Sequence, residues 1–328
     1  MTQRPDTLGD AALTAELADN FARLAGDDAA DDPQAGIGIA VSGGPDSMAL
    51  LVLAARLWPE RIAAATIDHQ LRPESGDEAA MVARYCADHD IPHSILIPAQ
   101  PIIGNIQSAA RNVRYDLLQR WCAEEDCPWL LTAHHADDQL ETMLMRLNRG
   151  SGVAGMAGVR ARNDNVLRPL LHVGKADLLG FCARHVIPFV DDPSNSDMRF
   201  DRSHLRQALD GCDWLDAAAA AQSASALAQA DEALRWAAGQ EAGRRFKSSD
   251  DALLCDMTGT ALPHDIIRRI MVLALQRIEP GLIPRGDALD RLIAALQSGQ
   301  TATQGNVLCS SNDGIWRFAV APQRSEHK

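Results

Sequence analysis

The chain has 328 residues, 46% of them apolar, and a formal net charge of −13. That length accommodates two domains with a core each, and the apolar fraction excludes a disordered chain. No apolar run approaches the roughly 20 residues of a membrane span, and the polar start Met1–Asp10 is unlike a secretory signal, so a cytoplasmic enzyme without membrane contact is the expected class.

Leu13, Leu17, Phe21 and Leu24 recur at helical spacing, which predicts an amphipathic helix near 8–25. Residues 1–36 hold eight acids against Arg4 and Arg23, and Gly26–Gly36 reads as a linker; together they set 1–35 apart as an acidic helical leader. Strand-like runs follow at Ile37–Val41, Ile62–Ile67, Ser94–Ile97 and Trp129–Ala133, separated by helical patterns near 46–57, 77–89, 107–124 and 136–148. This alternation predicts an α/β fold, a parallel twisted sheet with helices on both faces, with its strand-to-helix turns along one ligand-binding edge. A strand-like piece at Val166–Leu171 and a helix near 175–185 complete a domain spanning 36–211. The remainder, 212–328, reads as a smaller, mainly helical domain. It has a long alanine-rich helix within 214–245, helices at 263–278 and 286–297, and two short strands at 306–309 and 315–320.

The seven cysteines are scattered and none forms a C-x-x-C pair, which argues against a zinc ribbon, a cluster or a disulfide framework. Basic residues gather locally despite the negative total: Arg199, Arg202 and Arg206; Arg244, Arg245 and Lys247; Arg268 and Arg269. Phosphate binding needs such local surfaces and not a basic average.

Four segments carry candidate chemistry. Ser42-Gly43-Gly44-Pro45-Asp46-Ser47 lies between a strand and an apolar helix. Its glycines let the backbone approach a ligand, and the helix start offers amides and a dipole to an anion. Asp46 either caps the helix or holds a cation beside phosphate. No Gly-Lys-Ser/Thr triplet follows, so this is not a Walker loop. Thr132–Thr142 (TAHHADDQLET) opens a helix at the same predicted edge, with Asp138, Glu141 and Thr142 on one face; the acids serve either a metal or merely a helix start. Arg111 and Arg114 share a face of the helix that bears Tyr115, forming either a phosphate fork or a solvated surface. Asp191–Asp197 (DDPSNSD) dictates turns and leads to Arg199, Arg202 and Arg206, aligned at helical spacing.

The first of these resembles the PP-loop of the N-type ATP pyrophosphatases, which cleave ATP between the α- and β-phosphates. In order, SGGPDS, DHQLRPES (Asp68–Ser75), AARNVRY, TAHHADDQLET, RGSGVAGMAG (Arg149–Gly158), LRPLL (Leu167–Leu171) and DDPSN followed by FDRSHLR resemble bacterial tRNA(Ile)-lysidine synthetases over about residues 36–206. The second domain is similar in its helical content and in the ending GNVLCSSNDGIWRF. The chain departs from the family in Arg202-Ser203, where Arg-Asn is usual, and its acidic leader has no recognised counterpart. The resemblance implies ATP and Mg2+ as cofactors, with L-lysine and the CAU-anticodon tRNA(Ile) as partners; a homodimer stays open. ATP would adenylate O2 of the wobble cytidine, and the lysine ε-amine would then displace AMP from C2 to give lysidine. The family pattern assigns Ser42, Gly43, Gly44, Pro45, Asp46 and Ser47 to ATP, and Asp46 and Asp138 to the metal. His134, Arg111 and Arg114 join Asp46 and Asp138 in catalysis, while Asp137, Glu141, Arg202 and Arg206 face the substrates. Alternatives are a tRNA-thiolating PP-loop enzyme, a small-molecule synthetase, or a nucleotide sensor without turnover.

Overall fold

Strand β1 (Ile37–Ala40) pairs in parallel with β2 (Ile62–Ile67) on one side and with β4 (Trp129–Leu131) on the other. β3 (His93–Leu96) lies outside β2, while β6 (Val166–Leu167) and the antiparallel β5 (Arg162–Asn163) lie outside β4, giving the order β3-β2-β1-β4-β6-β5. The chain winds outward from β1 in one direction and then returns to the other side of it, so the β1/β4 crevice is the topological switch point where such sheets bind ligands. The computed structural model describes residues 8–26, 32, 34–70, 75–99, 106–190, 201–209, 211–249, 251–259, 261–284 and 286–322, without the side chains of 106–111 and 201. The turn segment Asp191–Asp197, Arg199 and the Arg111 side chain lie outside these described residues, as do parts of the Gly26–Gly36 linker and of Asp68–Ser75.

Helices α1 (Asp10–Ala25), α2 (Pro45–Leu57), α3 (Ser75–Asp88), α4 (Ile106–Glu124), α5 (Ala136–Asn148), α6 (Val153–Met156), α7 (Lys175–Arg184) and α8 (Asp201–Leu209) connect and cover these strands. Strand periodicity decides which face each covers. Ile37, Ile39, Leu131 and Leu167 point into one core with Leu50 and Leu53 of α2, Val82 of α3 and Phe181 of α7. Ala40, Ala63, Ala65 and Leu130 point to the opposite face, where small side chains make room for Leu118 and Trp121 of α4. Leu13, Leu17, Phe21 and Leu24 of α1 are buried in the first core. Asn20 Nδ2 of that helix donates to the Pro169 carbonyl at 3.0 Å, and Asp10 pairs with Arg184 at 2.9 Å.

The chain divides into two compact units, Met1–Ala228 and Gln229–Lys328, with the division inside helix α9 (Ala217–Arg245). The second unit contains β7 (Phe246–Ser249), β8 (Ala252–Asp256), α10 (His264–Ile278), α11 (Gly286–Gln297), β9 (Ala302–Gln304), β10 (Val307–Asn312) and β11 (Ile315–Val320). Its strands form an antiparallel sheet ordered β7-β8-β11-β10-β9, five strands where the sequence pattern predicts two. The unpredicted β7 is largely solvent-facing and β9 has only three residues, so neither carries an apolar alternation to read. Ile270 and Met271 of α10 and Ile293 of α11 pack with Cys309 and Phe318 of this sheet. Asp231 is 1% exposed and is neutralised by Arg269 and Arg235, each at 2.9 Å. No helix among the described residues is long and apolar enough to cross a membrane.

Candidate active site

The loop after β1 turns at Gly43, whose φ of +85° is a conformation that glycine adopts without strain. Gly44 is the N-cap of α2 and Pro45 its first residue, so the missing proline N–H falls where no helical bond is needed. Ser47 Oγ accepts from the Ser42 amide at 3.1 Å and donates to the Gly44 carbonyl at 2.9 Å. The buried Ser47 hydroxyl therefore staples the loop, while Ser42 is the exposed hydroxyl. Asp46, in the first turn of α2, has one buried oxygen, Oδ1, without a hydrogen-bond partner.

Across the switch point, β4 leads through Thr132–His135 into α5. His135 is the N-cap, and its amide donates to Asp138 Oδ2 at 3.2 Å. Its ring is 4% exposed and lies among three carboxylates. Nε2 is 3.4 Å from Asp46 Oδ2 and 3.6 Å from Asp138 Oδ2, and Nδ1 is 3.5 Å from Asp137 Oδ2. Burial alone would lower the pKa of this imidazole, but the contacts with Asp137 and Asp46 and the charges of Asp138 and Asp46 outweigh it and raise the value to about 10. Conversely, burial opposes ionisation of Asp138, yet His135, His134 and Arg202 hold its carboxyl below the usual range. His134 Nδ1 sits 2.9 Å from Thr132 Oγ1.

The acids on α5 have distinct surroundings. Asp137 Oδ2 accepts the Lys175 amide at 2.8 Å and so anchors the start of α7. Glu141 is buried, and its two oxygens accept Arg202 Nε at 2.5 Å and Arg206 Nε at 2.6 Å. Arg202 Nη2 also reaches Asp138 Oδ1 at 2.8 Å. Arg114 is half-buried on α4, close enough for its charge to join burial in lowering the pKa of His69, at the end of β2. The fold thus gathers Asp46, Asp137, Asp138, Glu141, Arg202 and Arg206 around His135, whereas Arg114 belongs to the His69 side.

Sequence reasoning gave no role to His135 or Gln139. The signal for His135 was its place immediately before the first helical residue, where side chains turn back over the helix start. Gln139 lies one turn further on; its amide donates to the Val159 carbonyl at 2.8 Å and accepts the Val159 amide at 2.7 Å. This clamp fixes the end of the glycine-rich segment, and Gly158, at φ +65°, leaves room for it.

A doubly wound sheet with a stapled glycine loop at its switch point, faced by a carboxylate-bearing helix, defines a PP-loop domain. A family model described as PP-loop domain matches residues 13–210. The tRNA(Ile)-lysidine synthase of Zymomonas mobilis is 38% identical over 299 residues, 88% of this chain and 90% of that protein. The enzyme of the same name from Novosphingobium aromaticivorans is 37% identical over 308 residues, 90% and 93% of the two chains. The chain belongs to the tRNA(Ile)-lysidine synthase family. Among solved structures, the U34-tRNA thiolase NcsA from Methanococcus maripaludis, determined with its 4Fe-4S cluster, superposes with a TM-score of 0.52 at 16% identity, covering 66% of this chain and 79% of that one. That likeness shows the fold.

Proposed function

We propose that this protein is a cytoplasmic enzyme that ligates lysine to C2 of the wobble cytidine in the CAU-anticodon tRNA(Ile), with ATP converted to AMP and pyrophosphate. Family membership supports the reaction. The observation that carries its assignment to residues is the meeting of Asp46, on the phosphate-binding loop, with Asp138, on the facing helix, at one imidazole.

The amides at the start of α2 and the exposed Ser42 hydroxyl would cradle the β,γ-pyrophosphate. The unpartnered, buried Asp46 Oδ1 together with the Asp138 carboxylate is a hard oxygen donor set that suits Mg2+. When bound, the ion would neutralise phosphate charge. Cytosine O2 attacks the α-phosphorus, the bond to the β-phosphate oxygen breaks, and pyrophosphate leaves. This converts a poor leaving group into AMP. The lysine ε-amine, once deprotonated, adds at C2 and expels AMP. Arg111, Arg114 and His134 are assigned to the negative charge that develops in these steps. Asp138, held below the usual carboxylate range, is a weak base near neutral pH; its role is to orient the amine as a hydrogen-bond acceptor while solvent takes the proton. Glu141 orients Arg202 and Arg206 toward the substrates.

No observation favours the thiolation reading. Burial raises Cys86, Cys127 and Cys182 to about 11 and Cys122, Cys255 and Cys309 to about 12, so none of these six is poised to form a sulfur-carrying thiolate. The test is mass spectrometry of nucleosides from the CAU tRNA(Ile) after incubation with the protein, ATP and lysine. A lysine-modified cytidine supports the reading; an unmodified or sulfur-bearing nucleoside overturns it.

A further inference from the structure

We propose that His135, which carries no role in the sequence reading, is a positioning residue for this reaction: its ring sets the spacing between the PP-loop carboxylate Asp46 and the helix carboxylate Asp138. The proposal rests on the lysidine-forming reading. The ring is fixed at its base because His135 is the N-cap of α5. Its amide is bonded to Asp138 Oδ2 at 3.2 Å, its carbonyl accepts the Gln139 amide at 3.3 Å, and the next amide, of Ala136, bonds to the Val173 carbonyl at 2.9 Å. From that anchored position Nε2 stands 3.4 Å from Asp46 Oδ2 and 3.6 Å from Asp138 Oδ2. One nitrogen thus faces one oxygen of each carboxylate, at ion-pair distance from both.

The two acids come from different elements, α2 and α5, and like charges so placed repel. A donor between them offsets the repulsion and fixes how far apart the carboxylates stand before any ligand arrives. Because His135 engages Asp46 through Oδ2, Oδ1 of the same carboxylate stays without a partner. The ring therefore leaves one oxygen of Asp46 unused. Groups that orient metal-binding side chains from behind typically change affinity or activity by about 10–100-fold when removed.

The two ring nitrogens face different acids, Nε2 toward Asp46 and Asp138, and Nδ1 toward Asp137 at 3.5 Å. This permits a test that separates positioning from packing. In His135→Gln the side-chain amide nitrogen falls near the place of Nε2; in His135→Asn it falls near the place of Nδ1. Both variants keep a polar group in the buried site. Three measurements are made on the full chain: thermal unfolding, binding of Mn2+–ATP by electron paramagnetic resonance titration, and pyrophosphate release with ATP and the CAU tRNA(Ile). We expect the two variants to melt within a few degrees of each other. His135→Asn should lose about 10–100-fold in Mn2+–ATP affinity and in kcat for pyrophosphate release, with KM for tRNA little changed. His135→Gln should recover at least tenfold of both losses. Equal losses in the two variants, or no loss in either, would overturn the proposal. If the native protein releases no pyrophosphate with this tRNA, the functional reading fails, and the Mn2+–ATP titration still decides the role of His135.

Discussion

Asp46 and Asp138 share an imidazole but differ in their remaining partners, and that difference separates their expected effects. Asp138 is further held by Arg202, while Asp46 retains an unpartnered buried oxygen. Replacing Asp46 with Ala should lower pyrophosphate release by about 10²–10³, the usual cost of removing one preorganised electrostatic stabiliser, while tRNA affinity stays nearly intact. Near-native turnover would remove the assignment of this loop to ATP. Gly158 makes a structural prediction at the same scale. A methyl group there would meet Gln139 Oε1 at 2.3 Å, on a backbone with φ of +65°. Gly158→Ala should destabilise the protein by about 1–3 kcal/mol, from left-handed strain and the disturbed clamp, read as a fall in the urea midpoint; an unchanged midpoint would show that the clamp adjusts without cost. The loop Ser42–Ser47 and the acids of α5 were legible because their residue types state their chemistry. The clustering at His135 was not, since it depends on where two elements distant in sequence meet.

Helix α5 organises the site as an element. One turn supplies the carboxylate facing Asp46, the clamp on the glycine-rich segment, and the buried acid that holds α8 through two guanidinium groups. Glu141→Gln leaves those cations with a neutral partner in a largely buried position. A cost of about 1–3 kcal/mol is expected, together with faster proteolytic cleavage within 201–209; unchanged cleavage would mean that α8 is held by other contacts. Strand β3 and the end of β2 carry a pH dependence. Burial lowers the pKa of His93, which bonds Thr66 across the sheet, and burial with the Arg114 charge lowers that of His69, both from 6.5. Below that value the unfolded chain binds protons that the native state resists, so stability falls as pH drops below about 6.5 and is regained above it. His135, raised to about 10, acts with the opposite sign across the same window, so the His93 contribution is read by comparison with the native protein. His93→Gln should gain urea midpoint at pH 5.5 relative to its difference from native at pH 7.5, and an equal difference at both pH values would contradict this. The helix ends from α2 to α5 and in α10 and α11 fall within about two residues of the sequence reading, because apolar periodicity and capping residues are local signals. Strand-like Val166–Leu171 shortens to Val166–Leu167; β7 and β9 went unread because they carry no apolar alternation, and β8 because its short apolar run Ala252–Cys255 has no period of its own to read.

At the scale of the whole molecule, the nucleotide motifs lie in the first unit, and two of the basic clusters, around Arg244 and Arg268, lie in the second. Deletion should follow the structural division. Ala221 and Ala224 of α9 are buried, and Ala224 lies in the first unit near Gly158, so a cut at 212 would strip part of that unit. Removing 229–328 should preserve ATP binding and weaken discrimination for the cognate tRNA; full discrimination by the shortened protein would mean that the second unit is not a reader.

The proposed order of chemistry at the β1/β4 crevice has the tRNA activated first and lysine attacking second. The most direct measurement incubates the CAU tRNA(Ile) with α-labelled ATP and the protein, first without lysine and then with it. The predicted result is pyrophosphate release with label accumulating on tRNA, followed on lysine addition by discharge of AMP without further ATP use, at a rate that rises with pH as the amine, with an ordinary pKa of about 10.4, loses its proton. Formation of lysyl-AMP in the absence of tRNA, with no label on tRNA at any stage, would contradict it.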